Sequence, residues 1–169
     1  MPKNNEYTIE ALQKQHHREH FDCGTTALNQ FIQTYARQNQ KSNISKTYVA
    51  SPIKPPKNIM GFYTLASGQI AHNELPTTLK HPRYPVSIAR LVRLAVDKEY
   101  QGNGLGGHLL YDALTKIKNV ADVIGIFAVV VDAKDKAAQK FYQHYEFLPL
   151  QNSELTLFLP MSTINNLFK

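Results

Sequence analysis

Between Tyr100 and His108 lies Gln101-Gly102-Asn103-Gly104-Leu105-Gly106-Gly107, four glycines in six residues from Gly102 onward. Glycine reaches positive φ at little steric cost, so such a stretch can turn tightly and bring successive main-chain N–H groups onto one anion. A helix starting near Leu105 would add the positive end of its dipole. The ligand that suits this arrangement is a pyrophosphate. Two standard phosphate motifs are absent: no Gly-Lys-Ser/Thr follows, and Gly102-x-Gly104-x-Gly106 is not the dinucleotide fingerprint. On the residues alone, a plain tight turn stays open beside the anion site.

Other side chains invite chemistry and mostly decline it. His16 and His20 share a face if residues 16–20 are helical, yet the zincin pattern His-Glu-x-x-His is absent and no cysteine completes a tetrahedral set. No metal is expected, and the histidines read as solvated surface residues. Cys23, the sole cysteine, suits packing at a helix entry better than nucleophilic attack. Asp97 and Glu99 flank the glycine turn, where acidic residues cap or solvate more often than they act as bases. Tyr142 follows Phe141, an aromatic pair that could be core material or could offer a phenol as a proton donor.

These groups must be held by regular elements. Leu28, Phe31, Ile32 and Tyr35 make an i, i+3, i+4, i+7 stripe, which predicts a helix over 25–39 capped by Asp22, Thr25 or Thr26. Lys46–Ser51 and Ile59–Ser67 read as a hairpin around Pro52, Pro55 and Pro56. Residues 72–85, with three prolines, read as an irregular connection. Ser87–Val96 is a strand that runs into the glycine turn, and Leu105, Leu109, Ala113, Leu114 and Ile117 line the helix after it. Val123–Val131 is apolar throughout except at Gly125, as a strand covered on both faces would be. A helix then starts near Asp135, and Glu146–Leu150 and Leu155–Leu159 close the chain as strands. Alternation of strands and helices predicts an α/β fold with a mixed sheet.

A chain of 169 residues is the size of one domain. The opening MPKNNEYTIE has no apolar core, so a secretory signal is not expected, and Val123–Val131 is too short to cross a bilayer as a helix. One cysteine excludes an internal disulfide and fits a reducing, cytoplasmic setting. Nineteen Lys and Arg against thirteen Asp and Glu leave a formal charge of +6, a balance that favours polyanionic partners.

Gln101-x-x-Gly104-x-Gly106 resembles the Gln/Arg-x-x-Gly-x-Gly/Ala signature of GNAT acetyltransferases. The likeness extends upstream through Arg93-Leu94-Ala95-Val96-Asp97 and downstream through Ala137-Ala138-Gln139-Lys140-Phe141-Tyr142. The resemblance implies a single GNAT domain over 1–169, with a mixed, mostly antiparallel central sheet splayed at a bulged strand and flanked by helices. It implies acetyl-CoA as co-substrate. Leu94, Ala95 and Val96 would meet pantetheine, and Gln101, Gly102, Asn103, Gly104, Gly106 and Gly107 would hold the pyrophosphate. Phe141 and Tyr142 would also contact the cofactor, with Tyr142 as the acid that protonates the leaving thiolate or as a hydrogen-bond donor to its sulfur.

A narrower resemblance covers nearly the whole chain. Phe21-Asp22-Cys23-Gly24, Leu28-Asn29-x-Phe31 and Leu157-Phe158-Leu159-Pro160-Met161 are similar to segments of GNAT toxins from type II toxin–antitoxin systems. That likeness implies acetylation of the α-amine of an aminoacyl-tRNA and arrest of translation. It further implies silencing by a ribbon-helix-helix antitoxin, a homodimer, and no membrane partner. Deprotonating a lysine at pH 7 costs roughly 4–5 kcal/mol and an α-amine only about 1, so the lack of a convincing base fits an α-amine acceptor. Arg37, Lys41, Lys46, Arg90 and Arg93 are the candidate contacts to tRNA phosphates. Arg90 and Arg93, three apart, face opposite sides of a regular strand and line one groove only across a bulge; a local ion pair or an exposed edge is the alternative for each. A small-amine or protein-amine acetyltransferase and a non-catalytic acetyl-CoA-binding module are the rival functions.

Overall fold

The helical stripe predicted at 25–39 forms, but its phase changes midway. In the computed structural model, which describes residues 6–151 and 153–168, helix α1 (Thr26–Gln30) passes into a π-helical turn at Phe31–Tyr35 and then into α2 (Ala36–Lys41). A π turn inserts one residue into the repeat. The inward position after Phe31 and Ile32 therefore falls on Ala36, fully buried, and Tyr35 is turned out with 46% of its surface exposed. Thr25 precedes the helix without a side-chain cap. Asp22 instead accepts from the Gly24 N–H at 2.9 Å and the Asn29 side-chain amide at 3.0 Å.

Strand β1 (Tyr7–Ala11) is an element the sequence reading missed, because its residues alternate without an apolar run. It pairs antiparallel with β2 (Lys46–Pro52), which pairs antiparallel with β3 (Gly61–Ile70). A short 3-10 turn at His72–Glu74 opens the Pro-rich connection to β4 (Val86–Val96). A second one at Lys98–Tyr100 leads through the glycine turn into α3 (Leu105–Ala121). Then follow β5 (Ala128–Asp132), α4 (Lys136–His144), β6 (Leu148–Pro149), β7 (Thr156–Pro160) and α5 (Met161–Leu167). The strand order β1-β2-β3-β4-β5-β7-β6 gives a mixed, mostly antiparallel sheet, with β4 and β5 as a parallel pair.

Two compact units divide the residues, one running to Ala66 and including Val92–Ala113, the other holding Ser67–Leu91 and Leu114 onward. In the first, Phe21, Phe31, Ile32, Val49, Phe62 and Ala95 form the core, and Thr47 and Thr64 share a buried 2.8 Å hydroxyl bond across β2 and β3. In the second, Ile70, Leu75, Ile88, Val130, Leu150 and Phe158 cluster. There β4 pairs with β5 from Ile88↔Ala128 to Leu91↔Val131. On its other edge β5 pairs antiparallel with β7, so Ala128–Val131 are buried on both faces.

Two strand expectations were too long. The Val123–Val131 run begins as strand only at Ala128. Val123 and Ile124 instead form a turn whose N–H groups bond the Val120 carbonyl, leaving them 83% and 57% exposed. Glu146 adopts φ 72° after α4, so strand pairing in 146–150 is limited to Leu148–Pro149. The terminal helix α5 was also not anticipated.

Candidate acyl-transfer site

The glycine turn takes the conformation its composition requires. Gly102 and Gly104 sit at φ 81° and 84°, in the left-handed region that disfavours any residue with a Cβ. A Cβ built on either meets nothing within 4 Å, so these glycines are needed for their dihedrals and leave the space beside them open. The first bond of α3 runs from the His108 N–H to the Gly104 carbonyl at 3.2 Å. Among the described residues, the six main-chain N–H groups of 102–107 have no hydrogen-bond acceptor. Unpaired donors at a helix start, reinforced by the dipole, fit an anion of pyrophosphate size.

Gln101 behaves differently from its neighbours. Its side-chain Nε2 donates to the Val96 carbonyl at 2.8 Å and the Cys23 carbonyl at 3.2 Å, so it anchors the turn to the end of β4. Asp97 also serves the scaffold: one carboxylate oxygen accepts from the Glu99 N–H and the other from the Asp22 N–H, each at 3.0 Å. Ala95 is buried in the first unit's core, with Leu94 and Val96 half-buried beside it. Gly61, which the sequence reading passed over, lets α3 approach this strand. A Cβ there would stand 2.9 Å from Leu109 Cδ1 and 3.0 Å from the Ala95 carbonyl oxygen.

Tyr142 lies on α4, whose first turn is capped by Asp135 accepting from the Ala138 N–H at 2.9 Å. The ring packs edge-on against Phe141 and tilted against Phe147, at 5.1 and 5.4 Å between centroids. Burial pushes its phenol well above the usual range, which keeps it protonated at neutral pH. Its hydroxyl has no hydrogen-bond partner among the described residues. Packing with Phe141 thus accounts for the ring and leaves the proton unassigned.

The basic candidates fall into different settings. Arg37 and Lys41 stand on α2, and the Lys46 ammonium donates to the Gln40 carbonyl at 3.2 Å and to Asn43 Oδ1 at 2.6 Å, closing the end of that helix. Arg90, in the second unit, is ion-paired with Asp132 at 2.8 Å, the local arrangement the sequence left open. Arg93, in the first, lies 3.8 Å above the Phe31 ring, and burial lowers its pKa.

The expected surface character of His16 is corrected. Residues 12–20 form turns, not a helix, and His16 is 2% exposed. Its Nδ1 accepts from the Gln13 N–H, so its Nε2–H donates to Glu10 Oε1 at 2.9 Å. His17 and His20 are exposed. Cys23 is buried in the first unit's core. No helix among the described residues is long and apolar enough to cross a membrane.

A strand entering a glycine turn of unpaired N–H groups at a helix start is an arrangement suited to binding an anion. Residues 78–162 match the acetyltransferase (GNAT) domain family, and the chain belongs to it. It is similar to a tRNA-acetylating toxin of Mycobacterium tuberculosis, 36% identical over 142 residues, 83% of this chain and 84% of that one. Its structure is similar to that of AtaT complexed with acetyl-methionyl-tRNAfMet: TM-score 0.91, 30% identity, covering 97% of this chain and 100% of that one. A tyrosine-to-phenylalanine mutant of AtaT bound to the C-terminus of the antitoxin AtaR and acetyl-CoA matches with TM-score 0.84 and 28% identity, over 97% and 99% of the two chains.

Proposed function

We propose that this chain, as a single acetyltransferase domain, transfers acetyl from acetyl-CoA to the α-amine of an aminoacyl-tRNA and so blocks translation in the cytoplasm. The observation that carries the cofactor half is the row of unpaired N–H groups at 102–107, joined to the family match over 78–162. Gly102, Asn103, Gly104, Gly106 and Gly107 hold the pyrophosphate through these groups, and Gln101 keeps the turn in place. The main chain of Leu94, Ala95 and Val96 runs along pantetheine, and Phe141 borders the thioester.

In the transfer, the amine nitrogen attacks the thioester carbonyl carbon and the C–S bond breaks. The departing thiolate takes the Tyr142 phenol proton, the new amide nitrogen releases one proton to water, and the phenolate recovers its own from water. The phenol is neutral at pH 7 and has no other partner, so its proton is free for the sulfur, although burial makes it a weaker acid than an ordinary tyrosine. An α-amine needs no strong base at neutral pH, which agrees with Asp97 being occupied by main-chain N–H groups. Of the basic candidates, Arg37 and Lys41 carry no ion pair among the described residues and are assigned to the tRNA backbone; Lys46, Arg90 and Arg93 would reach it only by giving up the local contacts described above. The acceptor class is supported by the likeness to the M. tuberculosis toxin and to AtaT.

The likeness to AtaT bound to the C-terminus of AtaR supports silencing by a cognate antitoxin, which we propose is of the ribbon-helix-helix type and acts on a homodimer of this chain. Incubating the protein with labelled acetyl-CoA and total charged tRNA tests the acceptor. Label recovered as an N-acetyl amino acid after deacylation is expected, and label found only on free amines or protein would refute it.

A further inference from the structure

Between Glu74 and Asp97, over residues 75–96, the chain carries no acidic residue, and its charged side chains there are Lys80, Arg83, Arg90 and Arg93. Arg90 is bonded to Asp132 and Arg93 covers Phe31. Lys80 and Arg83 are exposed and have no acidic partner among the described residues. Beside them Tyr84 is 67% exposed, between Arg83 and Pro85.

This tip has a fixed base. Leu75 is buried and Leu79 packs against the second unit's core, the Leu79 N–H bonds the Pro76 carbonyl at 3.1 Å, and Val86 resumes the sheet. The His81 Nδ1–H donates to the Pro82 carbonyl at 2.9 Å. Pro82 and Pro85 narrow the backbone further, which lowers the entropy lost when the loop binds. An aromatic ring shown to solvent on a stiff loop, directly after two unpaired cations, lacks a role in packing. Its chemistry is that of a stacking platform with phosphate contacts on the same loop.

We infer that the Lys80–Pro85 tip binds an unpaired RNA strand, with Tyr84 stacked on a base and Lys80 and Arg83 meeting the adjoining phosphates. The inference deepens the aminoacyl-tRNA reading and rests on it for the identity of the strand, the single-stranded end that carries the amino acid. A duplex buries its base faces, so the ring selects against paired RNA.

The test measures fluorescence anisotropy of a labelled single-stranded RNA oligonucleotide and a hairpin duplex on the full chain, alongside kcat/KM on charged tRNA. Tyr84→Ala is expected to weaken single-strand binding about tenfold and leave duplex binding unchanged, whereas Tyr84→Phe retains it. Replacing Lys80 and Arg83 by Gln is expected to flatten the dependence of log affinity on log salt by about 0.7 per contact. Acetylation of charged tRNA with single-strand binding and kcat/KM both insensitive to Tyr84→Ala would overturn the inference and leave the acceptor assignment intact. No acetylation of any charged tRNA, with Tyr84-dependent strand binding retained, would remove the acceptor assignment and keep the strand site. Loss of a protein partner in Tyr84→Ala without change in RNA affinity would assign the loop to protein recognition and also overturn the inference.

Discussion

Gln101 reaches back 2.8 Å to the carbonyl of Val96, so the side chain that opens the glycine turn is bound to the strand that precedes it. The same nitrogen meets the Cys23 carbonyl, which ties the turn to the loop before α1 as well. Gln101→Ala is expected to cost about 1 kcal/mol in denaturant unfolding. Gln101→Glu, which turns a carboxylate toward two carbonyl oxygens, is expected to cost more and to weaken acetyl-CoA binding about tenfold by calorimetry. Equal stability and affinity in all three proteins would show that the turn needs no such anchor.

Gly61 and Leu109 set how closely α3 approaches the end of β4. Gly61→Ala forces a methyl to within 2.9 Å of Leu109 Cδ1 and 3.0 Å of a main-chain oxygen, and is expected to destabilise the protein by about 1–3 kcal/mol. Leu109→Ala alone removes a fully buried side chain, for about 2–5 kcal/mol. In the double variant the two costs should sum to more than is observed, by at least about 0.5 kcal/mol, because the cavity receives the methyl. Strict additivity would place the strain on the Ala95 carbonyl instead.

Tyr142→Phe deletes a hydroxyl that has no partner among the described residues, so folding stability should change little. The proposed acid role predicts a fall in kcat of about 10²–10³-fold at unchanged acetyl-CoA affinity. Because burial raises the phenol's pKa, activity should show no descending limb from this group below about pH 10, the ordinary tyrosine value. A limb near pH 8–9 that vanishes in the Phe variant would contradict the burial argument.

Glu10 is held below the usual glutamate range, first by the hydrogen bond from His16 and with a further contribution from Lys57 at 3.6 Å. A depressed folded-state pKa stabilises the protein above the unfolded value, about 4.3, and the effect is lost as pH falls through the folded value. His16→Gln should therefore reduce the pH dependence of stability below about pH 4.3 and move acid unfolding to higher pH. Circular dichroism across an acid titration reads this directly; an unchanged profile would mean that Lys57 alone sustains the shift.

Some expectations missed for reasons visible at particular residues. Val123 and Ile124 are as apolar as Val129 and Val130, but only residues from Ala128 onward have β7 beside them, from Asp132↔Thr156 back to Ala128↔Pro160. Tyr35 continued a perfect period and Ala36 broke it, yet the π turn reversed which of them is buried. His16 gave no hint of burial, since its partners Glu10 and Gln13 become neighbours only through the turns after β1. Tyr7–Ala11 is a strand because β2 lies alongside it, not because of its own pattern.

What the residues determine unaided is local. Gly102 and Gly104 supply a turn, an apolar stripe must make a helix, and an aromatic pair beside Ala137-Ala138 marks a familiar motif, because each depends on dihedral freedom or on spacing within a few residues. Tertiary structure decided which donors stay unpaired, that Gln101 and Asp97 bind main-chain groups, that Arg90 faces Asp132 while Arg93 covers Phe31, and that the Tyr142 phenol is desolvated. Those outcomes depend on groups up to 78 residues apart meeting in space, as Gln101 meets Cys23, and no one-dimensional pattern carries that distance.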